Sequence, residues 1–396
     1  MKYPEYVASI INRLENNGHE AYIVGGSVRD FILHRTPGDF DVTTSALPEQ
    51  TLEIFKDLRT VPTGLKHGTV TVLSDGHPIE ITTFRIDGEY RDSRHPDKVI
   101  FTDSITEDLS RRDFTVNAMA FSESRGLVDP FGGKNDLNAK IIRAVGEPKK
   151  RFSEDALRIM RAFRFAAQLG FEIEKDTLAA AAEQKNSLER IARERIGAEF
   201  IKLICADKPA YSLGLMREYK LFEHILGGYE PQPRIFEAIS SAPNDTAVRL
   251  GIIMSECPTE KIKDFLGGLR LSSKMINASS VVAKEARAYL SGTSADARRF
   301  IGRCGVYLNE VVTAAEALGN LDADFAGYLS ENGSREVCTT VGGLAINGSH
   351  LIKLGFDGKE VGKTLSYLLE RVIEDPENNT PERLVALASE LKTDKK

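Results

Sequence analysis

The chain has 396 residues, 41% of them hydrophobic and 28% charged, with a formal net charge of −6. This is the balance of an ordinary water-soluble protein, with room for two to four domains at about 150 residues each. No opening run has the order of a signal peptide and no apolar run approaches a membrane span, so a cytoplasmic setting is expected. Cys205, Cys257, Cys304 and Cys338 are scattered without a C-x-x-C pair, and no His-Asp dipeptide or H-E-x-x-H occurs. That excludes a zinc site, a disulfide framework and the common histidine-metal hydrolases. The negative charge weighs against a broad nucleic-acid-binding surface, although residues 149–208 carry thirteen Lys and Arg against ten Asp and Glu.

In chain order, Pro4 to Gly18 reads as an amphipathic helix with Tyr6, Val7, Ile10, Ile11 and Leu14 on one face, closed by Asn17-Gly18. The stretch AYIVGGSVRDFILHRTPGDFDVTT (residues 21–44) follows. Tyr22-Ile23-Val24 predicts a buried strand stopped by Gly25-Gly26, with Ser27 as the cap of a helix carrying Arg29 in its first turn. Thr36-Pro37-Gly38 ends that helix, and Asp39-Phe40-Asp41-Val42 predicts a second strand. Alternation places Asp39 and Asp41 on one face, with α-carbons roughly 6.6 Å apart, two rises of about 3.3 Å. Two carboxylates at that spacing suit one hard cation such as Mg²⁺, and the glycine turn suits a phosphate. Together they describe a site for a nucleoside triphosphate.

A helix is expected near Glu49 to Lys56, then a hairpin of HGTVTVL and PIEITTF turning at Asp75-Gly76. Glu80, between Ile79 and Ile81, is either a solvated strand residue or a third metal-facing carboxylate, if its strand lies beside Asp39 and Asp41. The charged run Asp87 to Asp97 reads as a mobile surface loop. RRDFTVNAMAF (111–121) and a strand-like run at Ile141 to Val145 complete the mixed region. Beyond Glu147 strand signals nearly vanish. FSEDALRIMRAFRFAAQLG predicts one helix from an N-cap at Ser153 to a stop at Gly170, with further helices around 177–183, 189–206 and 210–221. Pro231-Gln232-Pro233 and Ser291-Gly292-Thr293 are the candidate linkers.

GGSVRD with DFD, RRDFTVNA, DPFGGKNDL, EDALRIMRAFRF and ERIGAEF occur in that order. They resemble the ordered motifs of the class II tRNA nucleotidyltransferases, the bacterial CCA-adding enzymes and their poly(A) polymerase relatives. The run from Asn347, NGSHLIKLGFDGKEVGKTLSYLLERVI, resembles the C-terminal portion of the Gram-positive type. The resemblance implies an α+β fold: a nucleotidyltransferase head with a small mixed sheet (1–148), then an all-α neck (149–207), body (208–292) and tail (293–396). It implies template-independent addition of C, C and A to the tRNA 3′ end from CTP and ATP. Partial addition, poly(A) synthesis and a catalytically silent RNA-binding scaffold are the alternatives.

By position, the resemblance makes Asp39 and Asp41 the ligands of two Mg²⁺ and Glu80 an accompanying catalytic carboxylate. Gly26 and Arg29 fall on the triphosphate side, and Arg112 on a nucleotide-contacting position. Asp155 and Arg158 would template the base, Asp155 accepting the exocyclic amino hydrogen that cytosine and adenine share. Arg161 and Arg164 match further nucleotide-binding positions, with Arg164 either reaching phosphate or bracing its helix. ERIGAEF would support that helix, and the 87–97 loop would serve the switch from C to A. Gly348, Gly355, Gly358 and Gly362 offer either N–H groups for RNA phosphates or plain interhelical turns. Neither a membrane nor an obligatory protein partner is implied.

Overall fold

A computed structural model describes residues 2–88, 99–333 and 337–393. The chain divides into two compact units, residues 1–230 with 268–270, and residues 231–267 with 271–396, and the change of unit falls at Pro231-Gln232-Pro233.

The first unit opens with α1 (Glu5–Asn16), which buries Val7, Ile10, Ile11 and Leu14 at the spacing of one helical face. The wholly buried β1 (Ala21–Val24) leads through a glycine turn into α2 (Gly26–Ile32), β2 (Asp41–Thr44) and α3 (Pro48–Ile54). Then come β3 (Thr60–Gly64), β4 (Thr69–Ser74) and β5 (His77–Thr83), the last two joined by Asp75 and Gly76, both at positive φ as a tight two-residue hairpin requires. The short pair β6 (Arg85–Asp87) and β7 (Val99–Phe101) follows, then α4 (Ile105–Ser110), β8 (Ala120–Ser122), β9 (Gly126–Val128) and α5 (Gly133–Ala139). Apart from its first two residues, the expected 87–97 loop lies outside the described residues.

Seven strands form one sheet in the order β3-β4-β5-β2-β1-β8-β9. Only the central β2–β5 pairing is parallel. One core patch of this unit packs Tyr22, Val24, Phe84, Leu109 and Ala120. Beneath the sheet, the carboxylate of the fully buried Asp108 accepts from Thr43 Oγ1, Arg85 N and the Arg111 guanidinium (Nη2 at 2.7 Å). It thereby ties β2, β6 and α4 together.

The helical half of this unit begins after β10 (Ile141–Ile142), with α6 (Pro148–Glu154) and α7 (Leu157–Leu169). Then come β11 (Glu172–Ile173), paired with β10, and the helices α8 (Lys175–Gln184), α9 (Arg193–Ile204) and α10 (Pro209–Glu218). The second unit is helical, and its terminal part packs Leu351, Phe356, Leu368, Val372, Leu384 and Ala388 into one cluster. The architecture is the expected one, a head with a small mixed sheet followed by helices. Among the described residues, no helix is long and apolar enough to cross a membrane.

Three local expectations are corrected. Ser27 does not cap α2: Gly25 occupies the cap position, and Ser27, inside the helix, donates to Val24 O at 3.3 Å. The second strand begins at Asp41, so regular alternation does not reach Asp39. The helix expected from Ser153 to Gly170 is two helices, broken where Asp155 takes an extended conformation (φ −141°, ψ 105°) and accepts from Leu157 N at 3.0 Å. Ser153 lies in the last turn of α6 and donates to Lys150 O, while Gly170 ends α7 at φ +68° as expected.

Removing one partner of a buried ion pair leaves the other desolvated, so Asp108→Ala should lower stability by about 3–5 kcal/mol. Urea denaturation followed by circular dichroism checks this, and a loss under 1 kcal/mol would rule out Asp108 as the tie beneath the sheet.

Candidate active site

Parallel pairing sets Asp41 directly beside Glu80, in register on β2 and β5. Both side chains are exposed, while Ile79, Ile81 and Val42 are buried on the other face. Residues paired this way project to the same side at the interstrand spacing of about 4.8 Å. Asp41 keeps solvent contact at its tip, yet the protein packed around it desolvates the carboxyl, and Asp39 adds negative charge. Arg112 pulls the other way and Glu80 adds further repulsion, leaving the Asp41 pKa pushed up to about 6. Asp39, Asp41 and Glu80 thus belong to one neighbourhood of excess negative charge. Among the described residues no three Asp, Glu, His or Cys side chains close into a preformed metal cage.

A cation faces these acids. Arg112 lies across the glycine turn, where a β-carbon at Gly25 would come within 3.0 Å of its Nη1. Burial lowers the pKa of Arg112 against the pull of Asp108, Nη2 lies 3.7 Å from Asp108 Oδ2, and its buried Nε has no hydrogen-bond partner in the described structure. Gly25 adopts φ 77°, ψ −126°, a region that side chains rarely enter. The glycine requirement therefore rests on Gly25, and a β-carbon at Gly26 would meet the Arg29 guanidinium at ordinary contact distance, Nη2 nearest at 3.5 Å. Arg29 is held on both flanks: Nη1 donates to Asn117 Oδ1 at 2.8 Å, and Nε and Nη2 donate to Asp30.

The α6–α7 joint presents the remaining predicted residues. Asp155 and Arg158 do not pair with each other. Asp155 Oδ2 accepts from Arg195 Nη2 at 3.1 Å, and Arg158 Nη1 donates to Glu154 Oε2 at 2.6 Å. Arg158 also donates to Arg151 O and Arg111 O, so three of its five N–H donors are engaged and two are left. Asp155 likewise retains acceptor capacity beyond its two bonds. Arg161 reaches the segment between α4 and β8, where its Nε donates to Asp113 Oδ2 at 2.7 Å. Burial alone would raise the Asp113 pKa, but the charge and hydrogen bond of Arg161 outweigh it and hold it below the usual carboxylate range.

Arg164 is buried, with Nε 2.8 Å from the equally buried Glu199 of α9, an ion pair without hydrogen-bond alignment. That contact is the one a brace would make, one of the two roles expected of it. Glu199 and Arg195 both belong to ERIGAEF, which therefore holds α7 and the joint before it as expected. The N-termini in the tail are filled from within: Asp357 accepts from Lys359 N and Glu360 N, and Asn347 from Ser349 N. Those bonds engage the amides that follow Gly348 and Gly358, and Gly355 N donates to Ile352 O.

Sequence reasoning passed over Asp108, Asp113, Asn117 and Glu154, the partners that aim the arginines. Asp113 and Glu154 adjoin residues that were singled out, inside the same motifs. Asp108 pairs locally with Arg111 and Arg112, but its ties to Thr43 and Arg85, and that of Asn117 to Arg29, span segments far apart in sequence.

Residues 21–143 match the family described as Poly A polymerase head domain, and residues 170–235 match that described as Probable RNA and SrmB- binding site of polymerase A. The chain is 39% identical to the CCA-adding enzyme of Limosilactobacillus fermentum, over 96% of each sequence. It is 36% identical to that of Pediococcus pentosaceus, over 98% of each. The solved Bacillus stearothermophilus CCA-adding enzyme in complex with CTP superposes on 100% of this chain and 99% of its own, with a TM-score of 0.81 and 31% identity.

Because only glycine suits the turn before α2, Gly25→Ala should cost about 1–3 kcal/mol and Gly26→Ala less than about 1. Urea midpoints of the two variants test the difference, and equal losses would contradict it. Asp113 has a folded pKa below its unfolded value, so its contribution is complete above the unfolded pKa, about 3.9, and fades as pH falls through the folded one. The stability advantage of wild type over Asp113→Asn, measured from pH 6 to 3, should accordingly shrink toward acid. An advantage that grows on acidification would reverse the sign.

Proposed function

The chain belongs to the CCA-adding enzymes, nucleotidyltransferases of the tRNA 3′ end, and from that premise we propose how its residues add C, C and A in turn from CTP and ATP, without a template and with release of pyrophosphate. The observation that carries the reading is the charge gathered at the start of β2. Asp41, pressed by Asp39 and in register with Glu80, lies within the field of Arg112 across the Gly25 turn.

The donor set fits Mg²⁺. It is all oxygen, and the burial of Asp41 together with the charges of Asp39 and Glu80, which raise its pKa, are what a divalent cation would offset. Asp39 and Asp41 are the residues that would hold the metal, with Glu80 beside them. Mg²⁺ held there would supply Lewis acidity toward the RNA 3′-hydroxyl and the pyrophosphate, the chemistry of a two-metal transfer.

The protein's own part is binding and orientation. Arg112 and Arg29, beside the Gly25-Gly26 turn, provide the fixed positive charge for the triphosphate. Asp155 and Arg158, each anchored by a different neighbour, keep an acceptor and a donor for the base edge. Cytosine and adenine offer an amino group to Asp155, whereas uracil and guanine would set a carbonyl oxygen against it. Arg161 is positioned on the same helix, and Arg164 serves as its brace.

The finer domain division belongs to the same reading: head 1–148 for chemistry, neck 149–207 for base selection, body 208–292 and tail 293–396 for tRNA. A reducing cytosol suits the four free cysteines.

Incubation with tRNA ending at the discriminator base tests the activity. CTP alone should add two residues, ATP alone none, and the two together CCA; ATP polymerisation would point instead to a poly(A) enzyme. Asp41→Ala should lose about a thousandfold or more in incorporation, the scale of several kcal/mol of metal-assisted stabilisation, while tRNA affinity is retained. Residual turnover above a tenth of wild type would remove Asp41 from the chemistry. Asp155→Ala should reduce discrimination against UTP and GTP by about a hundredfold. Unchanged rejection of both would dismiss the templating role.

A further inference from the structure

One buried ring joins residues that the proposed reaction uses separately. Phe165 of α7 is 6% exposed. The Cζ atoms of Arg29, Arg161 and Arg164 lie 5.5, 5.2 and 4.0 Å from its centroid, and Phe114 of the RRDF run meets it edge-on at 5.8 Å. Each arginine has its own carboxylate: Asp30 for Arg29, Asp113 for Arg161, Glu199 for Arg164. None of those ion pairs joins α2 to α7. Arg29 and Asp30 are both on α2, Asp113 lies between α4 and β8, and Glu199 is on α9. The aromatic ring is what the arginines of α2 and α7 share.

We propose that Phe165 is a positioning residue for the nucleotide. Its π face holds Arg29, beside the phosphate turn, at a fixed separation from Arg161, on the helix that reads the base. The inference rests on the functional reading above, because it assigns the two arginines to the two ends of one nucleoside triphosphate. A guanidinium near an aromatic ring is attracted by the ring quadrupole, most strongly where water is excluded, and this site is buried. Three like charges gathered around one centre also repel, so the ring opposes their dispersal while the separate carboxylates anchor each from outside. A nucleotide spanning phosphate turn and base-reading helix then meets a preset distance, and less ordering is needed when it binds.

A ring that merely fills the core would be indifferent to its electronics, and this separates the two roles. Full-length protein carrying 3,5-difluorophenylalanine or pentafluorophenylalanine at position 165 keeps nearly the same shape while weakening, then inverting, the quadrupole. Phe165→Leu removes the ring. Equilibrium dialysis of CTP should show a Kd rising stepwise, about threefold for the difluoro ring and about tenfold for the pentafluoro ring and for Leu. The affinity for tRNA should stay within about twofold. CTP binding by both fluorinated proteins within 1.5-fold of wild type overturns the proposal, as does an equal weakening of tRNA and CTP. Because the readout is binding, it decides the role of Phe165 independently of turnover, while incorporation by the wild-type chain in parallel reports separately on the function itself.

Discussion

The head is organised around one parallel register. β2 and β5 are the only parallel neighbours in an otherwise antiparallel sheet, and that pairing brings Asp41 and Glu80 level on one open face. A slip of one residue in either strand would turn its carboxylate toward the buried side and bring out Val42 of β2 or Ile81 of β5. Those apolar residues are fully or nearly fully buried, so hydrophobic burial fixes the register and the register fixes the charge. Burial first, and then the charges of Asp39 and Glu80, disfavour the ionised Asp41 and raise its pKa. Stability of the sheet therefore supports a charge density that the site alone would disperse.

The arginines follow a complementary rule. Each one placed near the candidate site is oriented by a carboxylate, and these carboxylates come from different parts of the first unit. Asp108 adjoins Arg112, Asp30 holds Arg29, Glu154 holds Arg158, Asp113 holds Arg161 and Glu199 holds Arg164. Long flexible cations lose much entropy on being ordered, and pre-pairing moves that loss from binding to folding. The chain as a whole carries a net charge of −6. The acids that lower the total are, in part, those that aim the bases.

Much of this was legible in the sequence. Helical spacing gave α1, turn chemistry gave the Asp75-Gly76 hairpin, and the loss of strand signals after Glu147 marked the passage to helices. The carboxylates were readable as a pattern, and the relevance of Glu80 depended on a pairing that no local signal specifies. The break at Asp155 was hidden because Phe152, Ala156, Ile159 and Phe163 continue an apolar helical rhythm across it. What interrupts the helix is tertiary: Asp155 caps the following turn and accepts from Arg195, forty residues away. Ser27 misled for a related reason. A good capping residue stood two places beyond Gly25, whose backbone conformation had already determined where the helix starts.

That hidden break bears directly on base selection under the proposed reading. In an uninterrupted helix, Asp155 and Arg158 would be neighbours three residues apart, free to form an ion pair and satisfy one another. A self-satisfied pair must be broken before it can read a base, and the cost would fall equally on correct and incorrect nucleotides. The extended residue at the joint, with Arg195 on one side and Glu154 on the other, directs the two elsewhere and keeps donor and acceptor capacity in reserve. Rejection of a wrong base then rests on buried groups left unmatched, which is costly, and not on competition with an internal partner. Under the proposed reading, the irregularity in α6–α7 is the feature that would let a protein surface act as a template.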